Sequence, residues 1–287
     1  MKLLSHSMRW LSAALLAVPV IASAAPERIV VVDGALTEIV YALGQEDKLV
    51  GVDTTSVYPA AATQLPQVGY KRALSAEGTL SLAPDLVIAS EDAGPAGILG
   101  QIESAGVTVA SVTAKASVDA VGEKVKRVAA LLEQPDAGEA LWQSIQADIE
   151  TVQASQLRLS KPVKVLFILN ASGGRNLVVG GANTHADAII KLAGAENAVQ
   201  GIEGYKPVTT EALVAMAPDV VLMMKRNEHS MPAAELFAIP GLDRVPAADN
   251  QRLVTMDGML LLGFGPRIGR AMKQLHEALY PAVVAAQ

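Results

Sequence analysis

Four short segments in the first half of the chain return in the second half, in the same order and offset by 134 to 150 residues. Val31-Val32-Asp33-Gly34-Ala35-Leu36-Thr37 is matched by Val178-Val179-Gly180-Gly181-Ala182-Asn183-Thr184, and the helical pattern after each ends in a glycine, Gly44 or Gly194. Gly69-Tyr70-Lys71 is matched by Gly204-Tyr205-Lys206. Glu77 with Pro84-Asp85-Leu86-Val87 is matched by Glu211 with Pro218-Asp219-Val220-Val221. A unit of this length is a whole folding lobe rather than one turn of a solenoid. Two copies of a lobe place equivalent loops opposite each other, and a groove between lobes is a favoured place for a ligand.

Each copy reads as alternating strands and helices. β-branched runs at 28–33, 49–53, 85–89 and 107–112 predict strands, and apolar residues at helical spacing predict helices over 37–43, 101–105 and 120–132. A helical pattern over 136–160 is longer than an ordinary globular helix and stops before Pro162. The expected fold is α/β: two similar lobes with central, mainly parallel sheets, bridged by one long α-helix. The expected boundaries are a leader at 1–24, a first lobe at 25–135, the bridging helix at 136–160 and a second lobe at 161–287.

The leader has Lys2 and Arg9, an apolar run over 11–21, and Ala22-Ser23-Ala24. A basic start, a short apolar core and a small-x-small end mark a secretory signal, cleaved near Ala24. The apolar run is far shorter than the about 20 residues of a membrane span. With no cysteine in the chain, disulfides, thiolate metal sites and a lipidated cysteine are excluded, so an exported chain of this kind fits a periplasm. Without the leader 21 basic residues face 29 acidic ones, the wrong balance for a nucleic-acid binder.

Aromatic residues make up only 3% of the chain, so the paired Gly-Tyr segments stand out. A phenol ionises near pH 10, but Fe³⁺ displaces its proton and binds the hard phenolate. In Gly69-Tyr70-Lys71-Arg72 the guanidinium would favour that charged form. The residues alone also allow, and more readily, a loop tyrosine that packs its ring. Tyr205 lacks the arginine, because Pro207 stands there, and reads as a second ligand, a wall of the cleft or plain packing. Beyond the strand at 219–222, Arg226 offers a bidentate fork to a carboxylate and His229 an imidazole, in a loop that also reads as a solvated charge run. Glu77 and Glu211 each open a helix, where the dipole favours a carboxylate; as a symmetric pair they also suit docking on a two-fold partner.

No nucleophile elbow, phosphate loop or His-Glu-x-x-His pattern is present, which argues against an enzyme. His185, His229 and His276 are scattered, which disfavours a dedicated zinc or manganese site.

Val68-Gly69-Tyr70-Lys71-Arg72-Ala73-Leu74-Ser75-Ala76-Glu77-Gly78, supported by 50–56, 203–207 and Gly265-Pro266-Arg267, resembles the periplasmic haem-binding proteins of bacterial haem ABC importers, over essentially the whole mature chain. The resemblance implies helix-bridged lobes with little hinge closure and ferric haem b as the transported ligand. It implies Tyr70 as iron ligand, supported by Lys71, Arg72, Tyr205 and Arg226, and Glu77 and Glu211 as the docking pair. The implied partners are an inner-membrane haem permease with its ATPase subunits and a haem donor such as an outer-membrane receptor. Some relatives carry a second-lobe histidine and two stacked haems; the strand end at 167–174 has none here. The alternative on the same scaffold is a ferric siderophore or cobalamin.

Overall fold

The computed structural model describes residues 25–157, 159, 161–171, 177–225 and 231–281. The expected leader, Arg226 and His229 lie outside the described residues.

The first lobe runs β1 (Ile29–Val32), α1 (Gly34–Ala42), β2 (Leu49–Val52), the hairpin strands β3 (Gly69–Tyr70) and β4 (Ala73–Leu74), α2 (Ala76–Ser81), β5 (Leu86–Ser90), α3 (Ile98–Ser104), β6 (Thr108–Val112) and α4 (Val118–Leu131). Its sheet has the order β2-β1-β5-β6 and every pair is parallel. A parallel sheet is covered on both faces, so its strands are continuous apolar runs. Ile-Val-Val-Val in β1 and Leu-Val-Ile-Ala-Ser in β5 are buried throughout.

Helix α5 (Pro135–Gln156) follows, 22 residues and about 33 Å long at ~1.5 Å per residue. Pro135 opens it, where a missing N–H costs nothing. Its buried stripe is Trp142, Ile145, Ile149 and Val152, and it packs on α4 on one side and on the last helix of the second lobe on the other.

The second lobe runs β7 (Lys164–Asn170), β8 (Leu177–Gly180), α6 (His185–Leu192), β9 (Glu196–Asn197), β10 (Tyr205–Val208), α7 (Thr210–Met216), β11 (Val220–Lys225), α8 (Ala233–Leu236), α9 (Pro246–Asp249), β12 (Leu253–Asp257), α10 (Gly258–Leu262) and α11 (Ile268–Leu279). Its order is β10-β8-β7-β11-β12, with β9 beside β7. Strands β7, β9, β11 and β12 are mutually parallel where they pair, whereas β8 runs antiparallel to both β7 and β10. The second lobe is therefore the first with a hairpin inserted. In the first lobe β1 feeds its helix directly; in the second, β7 turns back into β8 and α6 leaves from there.

Details of the repeat survive in three dimensions. Asp85 accepts from the backbone N–H of Arg28 ahead of β1, at 3.1 Å, and Asp219 accepts from that of Lys164 at the start of β7, at 2.8 Å. Ala83 and Ala217, each two residues ahead of its aspartate, share a left-handed backbone with φ of 44° and 43°. Gly34 and Gly181 are both glycine for one reason. A β-carbon on Gly34 would lie 2.4 Å from the Thr55 carbonyl oxygen, and one on Gly181 2.2 Å from that of Ile202. Gly181→Ala is expected to destabilise the chain by about 1–3 kcal/mol through this overpacking, read as a lower urea midpoint; an unchanged midpoint would mean that the loop at 202 gives way freely.

Candidate ligand-binding cleft

A cavity of about 700 Å³ opens between the lobes, within the range of small-molecule sites. The first lobe lines it with Asp33, Thr55, Tyr70, Lys71, Arg72 and Lys124. The second contributes Leu169, His185, Tyr205, Met224, Met259 and Leu262.

Tyr70 stands at the tip of the β3–β4 hairpin, whose backbone turns at Gly69 with φ 106°, a conformation easy only for glycine. The hairpin is fastened from below by the loop after β5. Leu74 N–H donates to the Gly94 carbonyl and Gly94 N–H to that of Lys71, both at 2.8 Å. Held this way, Tyr70 keeps 44% of its surface exposed, a large value for a big ring at a cleft. Its neighbours form an ion network. Lys71 Nζ reaches Asp33 at 2.7 Å and Asp92 at 3.0 Å, Arg72 Nη2 donates to Asp92 at 2.8 Å, and Ser90 Oγ donates to Asp92 at 2.6 Å. The hydrogen bonds from Ser90, Arg72 and Lys71 outweigh burial and hold the Asp92 carboxyl well below the usual range. The Arg72 pKa is raised, by its hydrogen bond to Asp92 first and with a smaller contribution from the neighbouring Tyr70 phenol.

Below this rim, buried Asp53 accepts from Asp33 N–H at 3.1 Å and from the Thr55 and Ser56 hydroxyls. The Asp53-Thr54-Thr55-Ser56 loop is thereby fixed against the start of α1, where Asp33 caps the helix by accepting from Ala35 N–H.

Across the cleft Tyr205 is half-buried. Its ring meets Phe167 edge-on at 6.2 Å, and burial raises the pKa of its phenol. It supplies a ring wall. Glu77 and Glu211 sit apart from the cleft, exposed in the first turns of α2 and α7.

Sequence reasoning missed Lys124, His185 and Asp92. Lys124 lies on α4 three residues from Val121 and four from Val128, on the buried face, and that phase was readable. His185 follows Thr184 as Glu38 follows Thr37, directly after the matched segments of the repeat. Its ring stands edge-on to Phe264 at 5.3 Å, and burial, with the charges of Lys124 and Lys71, pushes its pKa down. Nothing in the sequence near Tyr70 pointed to Asp92.

Among the described residues no helix is long and apolar enough to cross a membrane. The family model for periplasmic binding proteins matches residues 29–260. A solved structure described as the periplasmic heme-binding protein BhuT in complex with two hemes shares 46% identity and a TM-score of 0.85, over 89% of this chain and 98% of that one. An uncharacterized ABC transporter substrate-binding lipoprotein of Bacillus subtilis (strain 168), YvrC, is 27% identical over 89% of this chain and 81% of its own length. A vitamin B12-binding protein of Vibrio vulnificus (strain CMCP6) is 27% identical over 94% of this chain and 96% of its own. The chain thus belongs to the periplasmic binding protein family, as a two-lobed, helix-bridged substrate-binding protein of the kind that serves ABC transporters.

Proposed function

We propose that this protein binds ferric haem b in the interlobe cleft, with the Tyr70 phenolate on the iron, and delivers it to an inner-membrane permease driven by ATPase subunits. The carrying observation is an exposed phenol on the cleft rim with a guanidinium fastened beside it. Ferric iron takes a phenolate readily, and the positive charge of Arg72 stabilises that anion. Leu169, Met259 and Leu262 offer apolar and polarisable surface to a porphyrin face. Arg226 is assigned to the same pocket as a second-lobe basic partner. Glu77 and Glu211 are assigned to permease docking, and the place of work is the periplasm after removal of the leader near Ala24. An outer-membrane receptor is the proposed haem donor.

A second reading, cobalamin, is favoured by the likeness to vitamin B12-binding proteins. A hemin titration followed by absorbance separates the two. Wild type is expected to give a high-spin ferric spectrum. Tyr70→Ala is expected to lose that spectrum and to bind at least about tenfold more weakly, ~1.4 kcal/mol. An identical spectrum in Tyr70→Ala removes the tyrosine as ligand, and binding of cobalamin without hemin replaces haem as the cargo.

A further inference from the structure

Five ionised side chains gather on the first-lobe side of the cleft: Asp33, Lys71, Arg72, Asp92 and Lys124. Four of them answer one another. Lys71 bridges both aspartates and Arg72 pairs with Asp92. Lys124 stands outside this exchange. Among the described residues its Nζ makes no ion pair within 4.0 Å, and it donates to the neutral carbonyl of Phe264 at 3.1 Å. Lys124 thus has no carboxylate paired to it, and its ammonium belongs to a side chain only 4% exposed.

An ammonium has three donors, and burying one without an anion is costly. Burial, reinforced by Lys71 and opposed by the carboxylates of Asp33, Asp92 and Glu91, keeps Lys124 below the ordinary lysine value. Helix phase, with Val121, Val125 and Val128 on the same face, commits it to this position. His185 faces it from the second lobe and lines the same cavity, adding a ring N–H. The arrangement suits an arriving anion.

We propose that Lys124, with His185 opposite, forms a carboxylate-binding subsite on the cleft floor that receives the acidic edge of the ligand. The proposal rests on the haem reading above and deepens it. Haem b carries its two carboxylates on one edge of the ring, so a floor that takes that edge while Tyr70 takes the iron fixes the porphyrin at two points. A corrinoid, whose periphery carries neutral amides, would leave Lys124 without its anion.

The test compares hemin with hemin dimethyl ester, which keeps iron and porphyrin but removes both negative charges. Wild type is expected to bind the diacid about tenfold or more tightly than the ester, ~1.4 kcal/mol. Lys124→Met removes the buried charge while keeping apolar bulk. Lys124→Gln removes the charge but retains a donor for the Phe264 carbonyl. In both variants the preference is expected to vanish, and a cooperative thermal transition shows that the variant is folded. Equal affinity of wild type for the two porphyrins overturns the subsite, as does a preference that survives in either folded variant. If wild type binds neither porphyrin, the haem reading itself has failed.

Discussion

Arg267→Met is expected to lose about 3–5 kcal/mol of folding stability at neutral pH, the cost of stranding a buried charge, and to regain part of it in mild acid. The partner is Glu38, 5% exposed on α1 of the first lobe. Arg267, just ahead of α11 in the second lobe, donates from Nε to Glu38 Oε2 at 2.8 Å and from Nη2 to Oε1, and its guanidinium lies 3.8 Å over the Tyr58 ring. Burial raises the Glu38 pKa above its ordinary 4.5 even with Arg267 present, and Asp257 and Asp33 add to the rise. Between its unfolded and folded pKa the native state therefore binds more protons, so this group's contribution to stability falls as pH rises through that window. Without Arg267 the folded pKa climbs further and the window widens upwards. The deficit should be large at pH 7 and shrink as the pH approaches 4.5. Urea midpoints of wild type and variant at pH 7 and pH 5 measure it. A deficit independent of pH would mean that lost packing on Tyr58, rather than the stranded carboxylate, carries the effect. Glu38→Gln added to Arg267→Met should then fail to rescue, whereas the stranded-charge account expects substantial recovery.

The second large effect is functional. Glu77→Arg combined with Glu211→Arg is expected to abolish transport into vesicles carrying the cognate permease, while hemin affinity and thermal midpoint stay close to wild type. Neither helix needs the carboxylate to form. Ser75 Oγ already accepts from Gly78 N–H at 3.0 Å, and Thr209 Oγ from Ala212 N–H at 3.3 Å. A solvent-exposed first-turn carboxylate adds little to a helix that is already capped. On a basic socket the reversed charge costs several kcal/mol. Single reversals should impair transport less than the pair, because one correct contact remains. A fall in hemin affinity that tracks the fall in transport would place these glutamates in ligand binding instead.

The internal repeat made much of this architecture legible, because Gly34 and Gly181 are demanded by the same close approach and Asp85 and Asp219 by the same bond to the opening strand. It did not reveal the β7–β8 hairpin. Val178-Val179 matches Val31-Val32 in side chains, but side chains carry no record of strand direction, and the reversal was invisible. Helix starts were read late where a cap supplied the signal. The first helix begins at Gly34 rather than 37 because Asp33 caps it, and the fourth at Val118 rather than 120 because Ser117 does. Among the described residues the bridging helix spans Pro135–Gln156. At the site, Tyr70 and Arg72 were visible because they are neighbours in sequence. Asp92 was hidden by twenty intervening residues, and His185 by its distance from the first lobe's cluster.

The clamp between the lobes has a kinetic consequence. Arg267 on Glu38, Lys124 on the Phe264 carbonyl and α5 packed along both lobes hold the cleft in an assembled state. The less a protein must order around an arriving ligand, the smaller the cost of association. Encounter is then a matter of diffusion and orientation, and discrimination between ligands falls on how long each one stays. In a cleft that stays assembled, residence time becomes the quantity on which selection can act.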